Sequence, residues 1–223
     1  MDKVNKTIII ALFGAAGSGK DTIQKEIAKQ SPFLFHEIIS STTRPPREYE
    51  QNGIDYTFIS DSISDNYLKN GEYLEYAEFR GWRYGTLKNS IRSDKINIGV
   101  FNISGVKQLM KLPNEEYLII PIWIKCSDKT RLLRQLNREQ DPDCEEICRR
   151  FTTDQKDLNP QNIHFRCFAF YNENYSPEIL VKEQLLPFLY ESLLLEFVQG
   201  GYLDVNEDGI IYSFGQNDII SPE

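Results

Sequence analysis

Gly14-Ala15-Ala16-Gly17-Ser18-Gly19-Lys20 is a G-x-x-x-x-G-K pattern, and its residue types suit the binding of phosphate. Glycines at those spacings let successive backbone N–H groups converge on phosphate oxygens, and Lys20 is placed to reach β- and γ-phosphates. The N-terminus of a following helix would add its positive dipole end. A hydroxyl residue that helps hold magnesium usually follows the lysine; here Asp21 stands there, then Thr22. Asp21 could ligate the metal, Thr22 could supply the hydroxyl, or Asp21 could simply be a helix-start residue favoured by the dipole.

A second set of candidates lies downstream. Arg44 and Arg47 flank two prolines and could form a forked clamp for a phosphate dianion. Tyr56, Glu75, Tyr84 and Thr86 follow. Taken singly, these read as surface charge and strand aromatics. Further on, Arg134 and Arg138 are spaced to share one face of a helix, and Arg149 and Arg150 stand on the next helix-like segment. Arginines on one helical face are ordinarily solvated, so spacing alone gives them no role.

The elements that must position these groups are legible. Thr7–Phe13 (TIIIALF) is a β-rich apolar run of the kind that forms a fully buried parallel strand. It leads into the glycine loop and then into a helix-like Ile23–Gln30. Met1–Lys6 followed by Ile8–Ala16 also resembles the charged and apolar regions of a signal peptide, but strand, glycine loop and helix in succession favour the phosphate loop. Ile96–Phe101, Tyr117–Ile124 and Phe165–Phe170 read as further buried strands, with Ser127–Asn137 and Glu145–Leu158 as helices around a polar Glu139–Asp143. Fold class is therefore expected to be α/β, a parallel sheet flanked by helices.

In order and spacing, Ser40 with STTRPPRxxExNGxDYxF directly after it, then GEYLEYAEFxGWxYGT from Gly71 to Thr86, resemble the acceptor-binding region of the guanylate kinase family, whose members phosphorylate GMP with ATP. The resemblance runs from Thr7 to about Leu189. It implies that Arg44, Arg47, Tyr56 and Tyr84 hold the acceptor phosphate, and that Glu75 reads guanine with hydroxyls from Ser40 and Thr86. A carboxylate accepts from guanine N1–H and the 2-amino group together; adenine offers neither in that pattern, and an unpaired buried carboxylate is costly. Glu72 and Glu78 are expected to be solvated neighbours.

The resemblance also implies a helical lid, residues 134–150, that brings Arg134, Arg138 and Arg150 to the transferring phosphoryl group. Asn172, after the last strand, falls near where the family places an asparagine close to adenine, although Asn there is also a common turn former. Gly14, Gly17, Ser18, Gly19, Lys20, Asp21 and Thr22 complete the ATP side, with Mg2+ as the implied metal. There is one departure: where the family carries two aspartates after the strand ending at Phe101, this chain has Val100 and Asn102. A carboxylate at Asp21 could compensate.

The chain has 223 residues with 40% hydrophobic and 26% charged residues, ordinary for a soluble globular protein. Its net charge of −8 disfavours generic binding to nucleic acid or anionic lipid. No apolar run reaches the roughly 18–20 residues of a membrane span. Cys126, Cys144, Cys148 and Cys167 form no metal-binding pattern and fit reduced thiols in the cytoplasm.

One kinase-like domain over residues 1–190 is expected, with a small acceptor subdomain inserted at residues 40–86 and an extension over 191–223. Within the extension, Asp204–Ile211 matches the start of a calcium loop, but Gly215 occupies the position of the strong glutamate ligand. A hairpin turning at Asp208-Gly209 is the favoured reading. Two other functions compete with GMP or dGMP phosphorylation: a non-catalytic binding module, which the altered aspartates favour, and a kinase with another phosphorylated acceptor.

Overall fold

The computed structural model describes residues 6–48, 50–138, 140–173, 175–199 and 212–214. The fold is α/β, as expected, and the chain divides into two compact units. The first comprises the chain up to Ala11 together with Ser31–Ile120; the second comprises Leu12–Gln30 and the chain from Pro121 onward.

Strand β1 (Thr7–Phe13) coincides with the apolar run, and Ile9 to Phe13 are wholly buried, as a strand covered on both faces requires. It lies inside a six-stranded sheet of order β10-β9-β8-β1-β7-β2, with β2 Phe35–Glu37, β7 Ile96–Val100, β8 Tyr117–Lys125, β9 Phe168–Tyr171 and β10 Tyr212–Phe214. The β2–β7, β8–β9 and β9–β10 pairs are parallel.

In the first unit a smaller sheet has the order β4-β3-β6-β5 (β3 Ser41–Thr42, β4 Thr57–Phe58, β5 Tyr73–Phe79, β6 Trp82–Leu87). The β5–β6 hairpin turns at Arg80 and Gly81, both at positive φ (53° and 76°). Helix α2 (Asp61–Lys69) is capped by Ser60, and α3 (Ile103–Leu109) by Asn102. Strand β5 is a sheet edge, and the Gln108 amide from α3 meets its free backbone: Oε1 accepts from Tyr76 N–H at 3.0 Å and Nε2 donates to Tyr76 C=O at 2.9 Å. The edge is thereby covered at Tyr76.

The second unit holds α1 (Lys20–Gln30), α4 (Asp128–Leu136), α5 (Cys144–Asp157), α6 (Pro177–Leu180) and α7 (Leu186–Gln199). Ser127 caps α4 and Asp143 caps α5, each side chain accepting from a first-turn N–H. Glu173 adds a second fastening to the start of α4, accepting from Ser127 N–H at 2.6 Å and from the Thr130 hydroxyl at 2.7 Å.

Two boundaries differ from expectation. Helix α4 stops at Leu136 with Asn137 as its C-cap, so Arg138 lies beyond the helix and does not share a face with Arg134. Strand β9 begins at Phe168 rather than Phe165, because a short 3₁₀ turn over Pro160–Asn162 and irregular chain precede it. A π turn over Val181–Leu185 separates α6 from α7, and Pro187 sits in the first turn of α7, where its missing N–H leaves no gap. Of the anticipated hairpin, Tyr212–Phe214 is a strand that pairs in parallel with Phe168–Phe170. Its other arm, its turn and the calcium-loop pattern lie outside the described residues.

Candidate active site

On the phosphate-loop side, backbone geometry explains the glycines. Gly17 and Gly19 have φ of 81° and 90°, a region most side chains avoid. Close approach reinforces the requirement: a Cβ would stand 2.4 Å from Arg131 C=O at Gly17 and 2.4 Å from Asn172 Nδ2 at Gly19. Lys20 opens α1 and donates to Ala15 C=O at 2.9 Å. Enclosure holds its ammonium below the ordinary value, with Asp21 and Asp154 acting in the opposite sense. Asp21 and Thr22 are exposed in the first helical turn.

The structure brings Ser18, Gly19, Arg134 and Asn172 together, four residues expected to act on the same ligand. Asn172, 1% exposed, donates from Nδ2 to Ser18 C=O at 2.8 Å, and Arg134 donates to Asn172 C=O at 2.9 Å. Among the described residues, three buried side-chain polar atoms lack a hydrogen-bond partner: Ser18 Oγ, Arg134 Nη1 and Asn172 Oδ1. All three belong to this group, and such atoms mark a place where a ligand or water completes the bonding.

The other two arginines expected in a lid are arranged differently. Arg138 is exposed. Arg150 has a 42% exposed side chain and donates to Glu146 Oε1 at 2.7 Å, while Arg149 donates to the other oxygen at 2.7 Å. This double pairing, led by the Arg149 hydrogen bond, takes the Glu146 carboxyl down to about 2.

Sequence reading missed Arg131, Gln135 and Asp154. Arg131 is only 2% exposed; it pairs with Asp128 at 2.8 Å and Asp154 at 3.3 Å, and its guanidinium lies 4.0 Å from the Phe151 ring centroid. Asp154 accepts from Ala16 N–H at 2.8 Å, and Gln135 donates to Ala16 C=O at 3.3 Å. Burial raises the Asp154 carboxyl above its ordinary value despite Ala16, Lys20 and Arg131. Beside this contact is a cavity of about 270 Å³ bordered by Ala15, Trp123, Lys125, Asp154 and Gln155.

The acceptor candidates all lie in the first unit. The Arg44 guanidinium is 5.5 Å from the Tyr56 ring centroid, and the Tyr56 and Tyr84 rings meet edge to face at 6.3 Å. Arg44 donates to Glu50 at 2.9 Å and to Pro45 C=O at 2.7 Å, and Glu50 also accepts from Arg47 N–H at 2.8 Å. Burial works against ionisation of Glu50, but these bonds overcome it and hold its carboxyl below the ordinary value. Glu50 was also missed, although it is the glutamate inside the quoted STTRPPRxxE pattern. The Arg47 side chain is exposed, and Ser40, half-buried, contributes its carbonyl to Thr57 N–H at 2.9 Å.

Glu75 is 7% exposed and accepts from the Thr86 hydroxyl at 2.9 Å. Burial raises its carboxyl above the ordinary value, with Thr86 opposing. Gly105 is needed behind it, since a Cβ there would stand 2.9 Å from Glu75 Oε2. Asn102 is exposed and accepts from Gly105 N–H at 2.7 Å, so its side-chain oxygen serves the start of α3. Glu72 and Glu78 are exposed, as expected; Glu78 accepts from the Tyr76 hydroxyl.

The family model described as guanylate kinase matches residues 5–170. The chain belongs to the guanylate kinase family. A guanylate kinase of Nostoc sp. is 37% identical over 105 residues, 45% of this chain and 52% of that protein. Another, from Lactobacillus johnsonii, is 36% identical over 109 residues and 53% of its length, so these alignments span about half the length of the relatives concerned. A guanylate kinase of Malacoplasma penetrans is 32% identical over 197 residues, 86% of this chain and 97% of its own. The crystal structure of guanylate kinase from Anaplasma phagocytophilum superposes with a TM-score of 0.55 at 17% identity, covering 89% of this chain and 98% of that one, a likeness of fold.

Proposed function

We propose that this guanylate kinase family member transfers the γ-phosphoryl group of ATP to GMP or dGMP. The observation that carries the reading is Glu75, a carboxylate 7% exposed and bonded to the Thr86 hydroxyl. Guanine N1–H and its 2-amino group supply the paired donors such a group requires, and adenine does not. A kinase for a sugar phosphate would have no use for it.

In this reading the domain occupies residues 1–190, with the acceptor region at 40–86, the lid at 134–150 and the extension at 191–223. Arg44, Arg47, Tyr56 and Tyr84 hold the GMP phosphate, Glu75 with Ser40 and Thr86 reads the base, and Asn102 borders the acceptor. The Gly14–Lys20 loop cradles the ATP phosphates, while Asn172 takes the adenine end. An acceptor phosphate oxygen bonds to the γ-phosphorus, the bond to the β-bridging oxygen breaks, and ADP leaves with that electron pair. The protein's part is to align the groups, exclude water and place positive charge on the equatorial oxygens. Lys20, Arg134, Arg138 and Arg150 supply that charge, Arg150 by exchanging Glu146 for phosphate as the lid closes.

One exposed carboxylate, Asp21, with the Thr22 hydroxyl beside it, is a donor set suited to a cation that takes most of its ligands from phosphates and water. Bound there, Mg2+ would neutralise charge on the β- and γ-phosphates. Asp21→Ser would then lose activity, and an equal or faster enzyme would contradict the metal role. The four cysteines are free, in keeping with a reducing cytoplasm. Among the described residues no helix is long and apolar enough to cross a membrane.

The test is ADP release with Mg·ATP and each of GMP, dGMP, AMP, CMP and UMP, using Lys20→Ala as the blank. Turnover confined to guanine nucleotides is expected. Equal turnover with AMP would overturn the acceptor assignment, and GMP binding without turnover would make the chain a recognition module.

A further inference from the structure

Among the described residues, Ala16 is the one residue of the phosphate loop whose two backbone polar groups are both bound by side chains from α4 and α5. Asp154 of α5 accepts its N–H at 2.8 Å, and Gln135 of α4 donates to its C=O at 3.3 Å. The next residue, Gly17, packs so closely on Arg131 C=O of α4 that a Cβ would stand 2.4 Å from it. Arg131 in turn pairs with the same Asp154 oxygen at 3.3 Å and is held by Asp128 and Phe151. A loop that must present N–H groups to phosphate is thus shaped by the helices on either side of the lid segment.

We infer that Asp154 is a positioning residue for the nucleoside triphosphate site, fixing the Ala15–Gly17 backbone and coupling its geometry to the placement of α4 and α5. This rests on the donor assignment of the loop. Truncating Asp154 leaves the Ala16 N–H without its partner and removes one of the anchors of Arg131. Loss of one partner of a partly buried bond of this kind corresponds to about a 10- to 100-fold change in a binding constant. An amide at the same place restores an acceptor oxygen without the charge.

The experiment measures dissociation constants for a non-hydrolysable ATP analogue and, separately, for GMP, in the unaltered chain and in Asp154→Ala, Asp154→Asn and Gln135→Ala. The expected result is that Asp154→Ala weakens the ATP analogue about 10- to 100-fold, that Asp154→Asn recovers most of this, and that GMP affinity stays within about twofold in all of them. Gln135→Ala should shift the ATP analogue in the same direction by less. Retained GMP binding shows that a weakened variant is folded. Unchanged affinity of the ATP analogue in Asp154→Ala would overturn the inference while leaving the donor site standing. Equal weakening of both ligands would also overturn it, since the effect would then be a general loss of structure. Failure of the unaltered chain to bind the ATP analogue would remove the donor assignment and this inference with it.

Discussion

The two phosphate-handling regions are prepared in opposite ways. Around the glycine loop, Ser18 Oγ, Arg134 Nη1 and Asn172 Oδ1 are buried without partners, so hydrogen bonding is incomplete until something binds. In the acceptor region the charged groups already have partners inside the protein: Arg44 with Glu50 at 2.9 Å, and Glu75 with Thr86 at 2.9 Å. A ligand at the first region would complete bonds that no protein group makes among the described residues. A ligand at the second must join or replace bonds already formed. If the proposed function holds, binding energy at the donor side would come from satisfying orphaned atoms, and discrimination at the acceptor side from what a wrong ligand leaves unpaired.

Removing the donor cation should give the largest effect. Lys20→Ala should lower kcat by about 10²–10³-fold while GMP affinity is preserved, checked by steady-state kinetics and by GMP titration. Next is the carboxylate proposed to read the base: Glu75→Gln should weaken GMP by about 10- to 100-fold and leave the ATP analogue untouched, checked by calorimetric titration of both ligands.

Glu75 also sets a pH dependence. Its carboxyl is raised by burial above the ordinary 4.5, so as pH falls through that raised value it becomes protonated and can no longer accept both guanine donors. GMP affinity should decline at a pH above that of an ordinary carboxylate, and the decline should vanish in Glu75→Gln. Breaking the Arg44 pair comes next. Glu50→Gln should weaken GMP about tenfold by letting Arg44 drift from the Tyr56 face, with the ATP analogue again unaffected.

The smallest effect belongs to the lid. Glu146 titrates at about 2 in the folded chain, below its ordinary 4.5, so its pairing stabilises the fold above 4.5 and that contribution disappears as pH falls toward 2. Because Arg149 and Arg150 are well exposed, the contribution is about 1 kcal/mol at most. Thermal unfolding of Glu146→Gln against the unaltered chain should differ by that little at pH 7 and converge in acid.

Continuous apolar runs made the sheet legible: β1 matched at both ends because every residue from Ile9 to Phe13 is buried, leaving its ends to be set by polarity alone. Boundaries set by other physics were less visible. Arg138 was expected on α4, but the Asn137 cap ends the helix first, and nothing in local composition distinguishes Asn137 as a cap from Asn137 as a helical residue. Arg44 and Tyr56 could be read together because they lie near each other in sequence, and the structure sets the guanidinium 5.5 Å from the ring centroid. Asp154 binds Ala16 across 138 positions, and no local pattern signals a contact of that span. Glu50 lay within the recognised pattern, yet its role depends on the chain folding back on Arg44 and Arg47, which only coordinates display.

The most direct measurement is the ratio of kcat/KM for GMP to that for AMP, taken in the unaltered chain and in Glu75→Gln. Hydrogen-bond discrimination of this type corresponds to a ratio of about 10⁴ in the unaltered chain, collapsing by two orders of magnitude or so in the variant. A ratio that survives the substitution unchanged would contradict the account, because guanine would then be chosen by something other than Glu75.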